Sequence, residues 1–176
     1  DGEAAFPLAF GLRHQGERTV AQGDDHVVAF PHSHQDAIGS DRVGVKFSPQ
    51  MPFNDIQEPD ADEVYPYLVT QISDKGLACV HVGDHANTGW HEKLRPLYSG
   101  IYIAGANFDK ERAEEYLASG KADAIAFGVK FLANPDLPAR FEQGAELNQP
   151  DQTTFYVGGT AGYTDYPTLS KSAASA

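Results

Sequence analysis

Apolar residues in this chain gather into four short runs, and most of the stretches between them carry a helical period. Residues 43–47, VGVKF, alternate and are rich in β-branched side chains. They stop at Ser48 and Pro49, where proline would interrupt sheet pairing, so they predict a strand. Across 61–74, Val64, Tyr67, Leu68, Gln71 and Ile72 fall on one helical face; Pro66 belongs near the first turn or else kinks the helix, and Gly76 ends it. The run LACVHV at 77–82 predicts a second strand, 90–97 a short helical turn closed by Pro96, and 101–104 a third strand. Asp109 is placed to cap a helix reaching Ser119, with Ala113, Tyr116 and Leu117 inward and Gly120 as its stop.

The fourth run, 122–127, turns at Gly128, and a loop then leads to a helix. Asn134 is its expected N-cap, Pro135 suits its first position, Asp136 complements its positive end, and Gly144 stands at its C-cap. A glycine closing a parallel strand ahead of a helix start suits a phosphate, but this stretch alone favours an ordinary strand-to-helix connection. Strands alternating with helices over connections of this length predict an α/β parallel sheet.

Residues 1–35 show no period of either kind beyond a short candidate strand at 27–30, and they hold His14, His26, His32 and His34, four of the seven histidines. PHSH at 31–34 lacks a second ligand pair at a recognisable spacing, so these histidines read as solvated rather than metal-binding. His81 and His85 have the four-residue spacing of a metal-binding helix, yet 80–82 reads as strand and Gly83 breaks any helix. Their rings therefore need not share a face, and no metal site is assigned.

With 176 residues the chain has enough material for one domain with a core and falls short of the roughly 250 residues of a complete (β/α)8 barrel. A net charge of −12 would repel a nucleic-acid backbone or an anionic membrane, which argues against either as partner. Cys79, the single cysteine, lies in an apolar run and is expected to pack as a small buried residue. No run approaches a membrane span and the N-terminus lacks the order of a signal peptide, so the expected location is cytoplasmic.

The motifs carry a resemblance. DRVGVKFSP, FND, YLVTQISDKGLACVHV, LRPLYSGIYIAGANFD, FGVKFLANPDLPARF and TFYVGGTAGYTDYPTL together resemble the C-terminal half of the old yellow enzyme family, the FMN-dependent ene-reductases, over 37–169, with NPDLP and GYTDYP the most specific. The resemblance implies a partial (β/α)8 TIM barrel, approximately strands five to eight with their helices. It divides the chain into a non-matching, weakly ordered segment 1–35, the half-barrel 36–169 and a disordered tail 170–176. In that family FMN sits at the C-terminal ends of the strands, NAD(P)H reduces it, and the flavin passes hydride to the β-carbon of an activated alkene.

Carried over by position, the resemblance gives Lys46 the place of the family's arginine beside the flavin's pyrimidine edge, keeping its charge without the fork geometry. Ala106 and Asn107 occupy a turn whose N–H groups face the FMN phosphate. Gly128 matches the phosphate turn after strand eight, Val129 stands where an arginine is usual, and Lys130 is the neighbouring substitute. Tyr163 matches a tyrosine near the substrate cavity. The family's substrate-binding pair and proton-donating tyrosine belong to the strand-four region, which the matched residues do not include, and no catalytic residue is assigned. Two expectations stand side by side: an FMN oxidoreductase retaining the phosphate side of its site, and a non-catalytic module that associates with itself or with a complementing half-barrel through its open sheet.

Overall fold

The computed structural model describes residues 35–53 and 55–172, with the side chains of 171 and 172 left aside. The expected strand at 27–30 and His14, His26, His32 and His34 lie outside the described residues. The chain divides into two compact units, Asp1–Ala126 and Phe127–Ala176.

In the first unit four strands, β1 (Gly44–Phe47), β2 (Cys79–Gly83), β3 (Tyr102–Gly105) and β4 (Ala124–Ala126), form one parallel sheet in the order β1-β2-β3-β4. Each connection carries a helix: α1 (Ala61–Ile72) after β1, α2 (Trp90–Leu94) with a 3-10 turn at Arg95–Leu97 after β2, and α3 (Lys110–Ala118) after β3. This is the α/β arrangement that the alternation of runs predicts, because parallel neighbours need a crossover rather than a hairpin.

The register sorts the strand side chains into two faces. Val80 pairs with Tyr102, and Val82 with Ala104, and all four are fully buried. Val69 and Ile72 of α1 and Trp90 and Leu94 of α2 are equally buried. Removing a valine, leucine or isoleucine side chain from water contributes about 1.5–3 kcal/mol, so this layer is the main stabilising element of the unit. Aromatic edges lock it: the Tyr65 ring lies 5.8 Å from Phe47 and 5.6 Å from Trp90. Asp123 ties the far edge, accepting from the Tyr102 N–H at 2.8 Å and pairing with Arg95 at 3.2 Å.

Three details differ from the periodicity. The buried stripe of α1 is Ala61, Tyr65, Val69 and Ile72, while Tyr67 is 55% exposed. Tyr65 wins its inward place because its ring reaches both Phe47 and Trp90 and its hydroxyl donates to Glu58 at 2.8 Å. Pro66 sits inside α1 rather than in its first turn. On α3, Ala113 and Tyr116 are buried and Leu117 is exposed, and Asp109 caps the helix as expected, accepting from the Arg112 N–H at 2.8 Å.

The second unit contains α4 (Val129–Ala133), α5 (Leu137–Gln143), a 3-10 turn at Gln152–Thr154 and α6 (Leu169–Ser172), which enters the segment expected as a tail. Where a loop is expected after Gly128, α4 forms at once. Asp136, not Asn134, is the N-cap residue of α5, and Gly144 closes the helix at φ 62°, ψ 29°. Asn134 is buried instead, donating to the carbonyls of Lys130 and Asn148 and accepting from the Asn148 N–H at 2.7 Å. The Asn134 side chain is thus committed to the backbone of Asn148, while the Asn148 amide donates to the carbonyls of Ala133 and Pro167, so the Asn134 oxygen does not cap α5. Arg140, also buried, pairs with Asp136 at 2.8 Å and donates to the carbonyls of Glu146 and Pro167, holding the chain after α5 to the helix. Among the described residues no helix is long and apolar enough to cross a membrane.

Candidate functional site

The second face of the sheet has a different make-up. In one lateral row stand Lys46, His81, Ile103 and Ala124, and in the next Gly83, Gly105 and Ala126. Side chains in register on parallel strands share a face, so these rows look away from the helix-covered core. Lys46 is exposed, His81, Ile103 and Ala124 are half-buried, and Ile101 at the start of the same side is 55% exposed. Cys79 also lies here and is only half-buried, short of the full burial expected of it, and partial burial raises its thiol pKa.

Glycines shape the end of this face. A Cβ on Gly105 would stand 2.5 Å from His81 Nε2, and one on Gly83 would stand 2.9 Å from His85 Nε2 and 3.5 Å from Ser48 Oγ. The two imidazoles therefore lie across adjoining glycines, one over each, and do share a face despite the broken spacing. Burial, with Lys46 second, holds His81 down to about 4. The same two causes lower His85, which Asp84 partly offsets. Both rings are neutral at pH 7. Among the described residues no group of three metal-ligating side chains assembles.

The loops beyond the strand ends are pinned by Asp84, which is 2% exposed. Its carboxylate accepts from the backbone N–H groups of Thr88 at 2.9 Å, Gly89 at 3.0 Å and Trp90 at 3.2 Å, which fixes the start of α2. Burial alone would raise its pKa, but these donors outweigh burial and keep it below the usual carboxylate range. Asn107 then fastens the β3 loop to the β2 loop, its amide donating to the carbonyls of Asp84 at 3.2 Å and His85 at 2.8 Å. Ala106 and Asn107 are both left-handed, at φ 70° and 56°. An asparagine tolerates that conformation, and an alanine needs its neighbours to enforce it. Among the described residues neither backbone N–H donates a hydrogen bond, so two donors stand open at the end of β3.

The structure thus brings Lys46, Ala106 and Asn107 to the first unit, on the strands and turns just described. Gly128, Val129 and Lys130 belong to the second unit. Gly128 precedes α4 at φ −90°, and a Cβ there would meet nothing within 4 Å. Local packing therefore does not demand glycine at that point. Val129 is 48% exposed and Lys130 half-buried. Tyr163, in the same unit, is 38% exposed, and its hydroxyl accepts from the Tyr156 N–H at 3.1 Å. His81 and His85, flagged by spacing but set aside because Gly83 breaks any helix, are brought onto this face by the glycine floor. The signal was available as strand alternation, which puts 79, 81 and 83 on one side of β2 with Lys46 beside them.

Comparisons with known proteins agree on one family. The model of the NADH:flavin oxidoreductase / NADH oxidase family matches residues 29–148. A protein of Leishmania infantum described as a "probable flavin mononucleotide-dependent alkene reductase" is 43% identical over 135 residues, covering 74% of this chain and 37% of that protein. The solved structure of the old yellow enzyme from Trypanosoma cruzi superposes with a TM-score of 0.75 at 35% identity, over 81% of this chain and 39% of the other. Morphinone reductase in complex with tetrahydroNAD gives a TM-score of 0.73 at 37% identity, over 81% of this chain and 40% of the other. The chain spans about two-fifths of the length of these relatives, and these relatives are (β/α)8 barrels, so the four-stranded sheet is part of such a barrel.

Proposed function

The chain belongs to the NADH:flavin oxidoreductase / NADH oxidase family, and from that premise we propose that it serves an FMN-dependent NAD(P)H oxidoreductase acting on activated alkenes, contributing the phosphate side of the flavin site. In this reading 36–169 is the C-terminal half of the barrel, strands five to eight. The observation that carries it is the pair of open N–H donors at Ala106 and Asn107, at the C-terminal end of β3 and in the same unit as the exposed cation of Lys46. These residues fit a flavin nucleotide: backbone donors with no internal acceptor suit a phosphate, and a cation on an open strand face suits a ring edge that gains negative charge.

Bound FMN would supply hydride transfer between NAD(P)H and an activated alkene. Lys46 holds a positive charge against the flavin's pyrimidine edge. The Ala106 and Asn107 amides orient the phosphate, and Asn107 is kept in place by the carbonyls of Asp84 and His85. Gly128, Val129 and Lys130 take the second phosphate turn by resemblance to the family, Gly128 leaving room where a side chain would stand. Tyr163 lines the substrate cavity in the same reading.

Titration of the purified chain with FMN and with riboflavin, followed by flavin fluorescence and thermal unfolding, tests this. The expected result is a raised unfolding temperature with FMN and at least tenfold weaker binding of riboflavin, because any ligand that binds only the folded state stabilises it. Equal binding of the two flavins, or none of either, overturns the reading. The half-exposed row of Ile103 and Ala124 with Ile101 favours a second reading, a non-catalytic module that associates through this face. Concentration-dependent association in sedimentation, unaffected by FMN, would select it.

A further inference from the structure

We propose that Lys46, His81 and His85 form one charge-coupled group, in which negative charge settling against Lys46 is accompanied by uptake of a proton from solvent onto the imidazoles. The inference rests on the reading of Lys46 given above and adds two side chains, the imidazoles of His81 and His85, that the reading does not use.

The geometry comes from the sheet. Lys46 and His81 are lateral partners on adjacent parallel strands, where backbones run about 4.8 Å apart and side chains in register point the same way. Beyond them Gly83 pairs with Gly105, and this side-chain-free floor is what gives the two rings room on the face, His81 across Gly105 and His85 across Gly83 beside Ser48. An alanine at either glycine would meet an imidazole nitrogen at 2.9 Å or less. Two histidines and a lysine are thus held on one open surface by residues whose only contribution is the absence of a Cβ.

The charges facing each ring decide its state. His81 sees Lys46 from β1, His85 from the β2 loop and His91 from α2, and no carboxylate is among them. His85 sees Lys46 and, opposing it, Asp84, whose carboxylate is already engaged by three backbone N–H groups. With Lys46 charged, a second cation beside it is disfavoured and both rings stay neutral. Neutralise that charge and the largest electrostatic obstacle to protonation goes, while burial, the larger cause for both rings, stays in place. The proton then comes from water or buffer onto a ring nitrogen, giving imidazolium, and no other bond changes. In a flavin site the negative charge is the one left when two electrons arrive with a single proton, so His81 and His85 would take up the second.

Histidine side-chain resonances of the ligand-free chain, titrated in wild type, Lys46→Gln and Lys46→Arg, test the coupling directly. Lys46 is exposed, so both variants are expected to fold, which the amide spectrum checks. The expected result is that Lys46→Gln moves the titration of His81 and His85 to higher pH by half a unit or more, equivalent to a threefold or greater change in proton affinity, while Lys46→Arg leaves them in place. Unchanged titration in Lys46→Gln overturns the proposal. The FMN-loaded chain gives a second readout, the pH dependence of the flavin's reduction potential between pH 4 and 6. A steeper dependence in wild type than in the His81→Gln, His85→Gln double variant supports the proposal, and the same slope in both overturns it. If FMN does not bind, the functional reading falls, and the Lys46→Gln titration alone decides the charge coupling.

Discussion

The two faces of the four-stranded sheet share every backbone atom and differ in almost everything else. On the face beneath the helices, Val80, Val82, Tyr102 and Ala104 are sealed from water. On the other, one residue away along each strand, stand an exposed lysine, two half-exposed histidines and a glycine floor. A period of two is all that separates a packed core from a surface with chemistry on it. The residues that stabilise the sheet and those of the proposed site alternate along the same strands, and substitutions should sort accordingly.

The largest effect is expected where that sorting is violated on the covered face. Val82→Asp puts a carboxylate among Val80, Tyr102 and Ala104 with no partner, and the expected cost, about 4 kcal/mol or more, removes the cooperative unfolding transition seen by circular dichroism. Ile103→Asp, on the neighbouring strand but the opposite face, is expected to cost about 1 kcal/mol or less. Equal costs would break the comparison.

Asp84→Ala comes next. It strands the N–H groups of Thr88, Gly89 and Trp90 that the carboxylate now satisfies, at about 2–3 kcal/mol in denaturant unfolding. It also loosens the loop whose carbonyls hold Asn107. Weaker FMN binding should accompany the lost stability, whereas a core truncation such as Leu94→Ala should cost stability alone.

The smallest effect is one of pH and belongs to the open face. His81 is held to about 4 when folded, against an ordinary value of 6.5. Between those limits the unfolded chain binds the proton and the folded chain does not, so stability falls as pH drops through the window from 6.5 to 4. Solvent reaches this half-buried ring, and after discounting for that screening the expected loss is about 1 kcal/mol. Comparing unfolding free energies of wild type and His81→Gln at pH 7 and pH 5 isolates it. A loss of the same size in both proteins would remove His81 as its source.

Much of this organisation is legible in the order of residues. The four strands form within two residues of the apolar runs that predict them, because β-branched and small apolar side chains suit a pleated sheet packed on one face. Asp109 and Gly144 act as the caps their types and positions suggest. What was not legible depends on partners distant in sequence. Asn134 is drawn from its capping role by Asn148, and α1 turns toward Tyr65 because Phe47 and Trp90 converge there. Among the site residues, Lys46 and the Ala106–Asn107 turn are approachable from motif resemblance. The open donors of that turn and the seating of His81 and His85 over glycines follow from strand register, which pairs residues more than twenty positions apart.

The central claim is that the strand ends on the uncovered face hold the phosphate side of a flavin nucleotide, and backbone amide shifts during an FMN titration test it most directly. The account predicts large shifts at Ala106 and Asn107, smaller ones near Lys46 and none at Val80 or Val82. Shifts confined to other residues, or identical shifts at Ala106 and Asn107 with riboflavin, would contradict it.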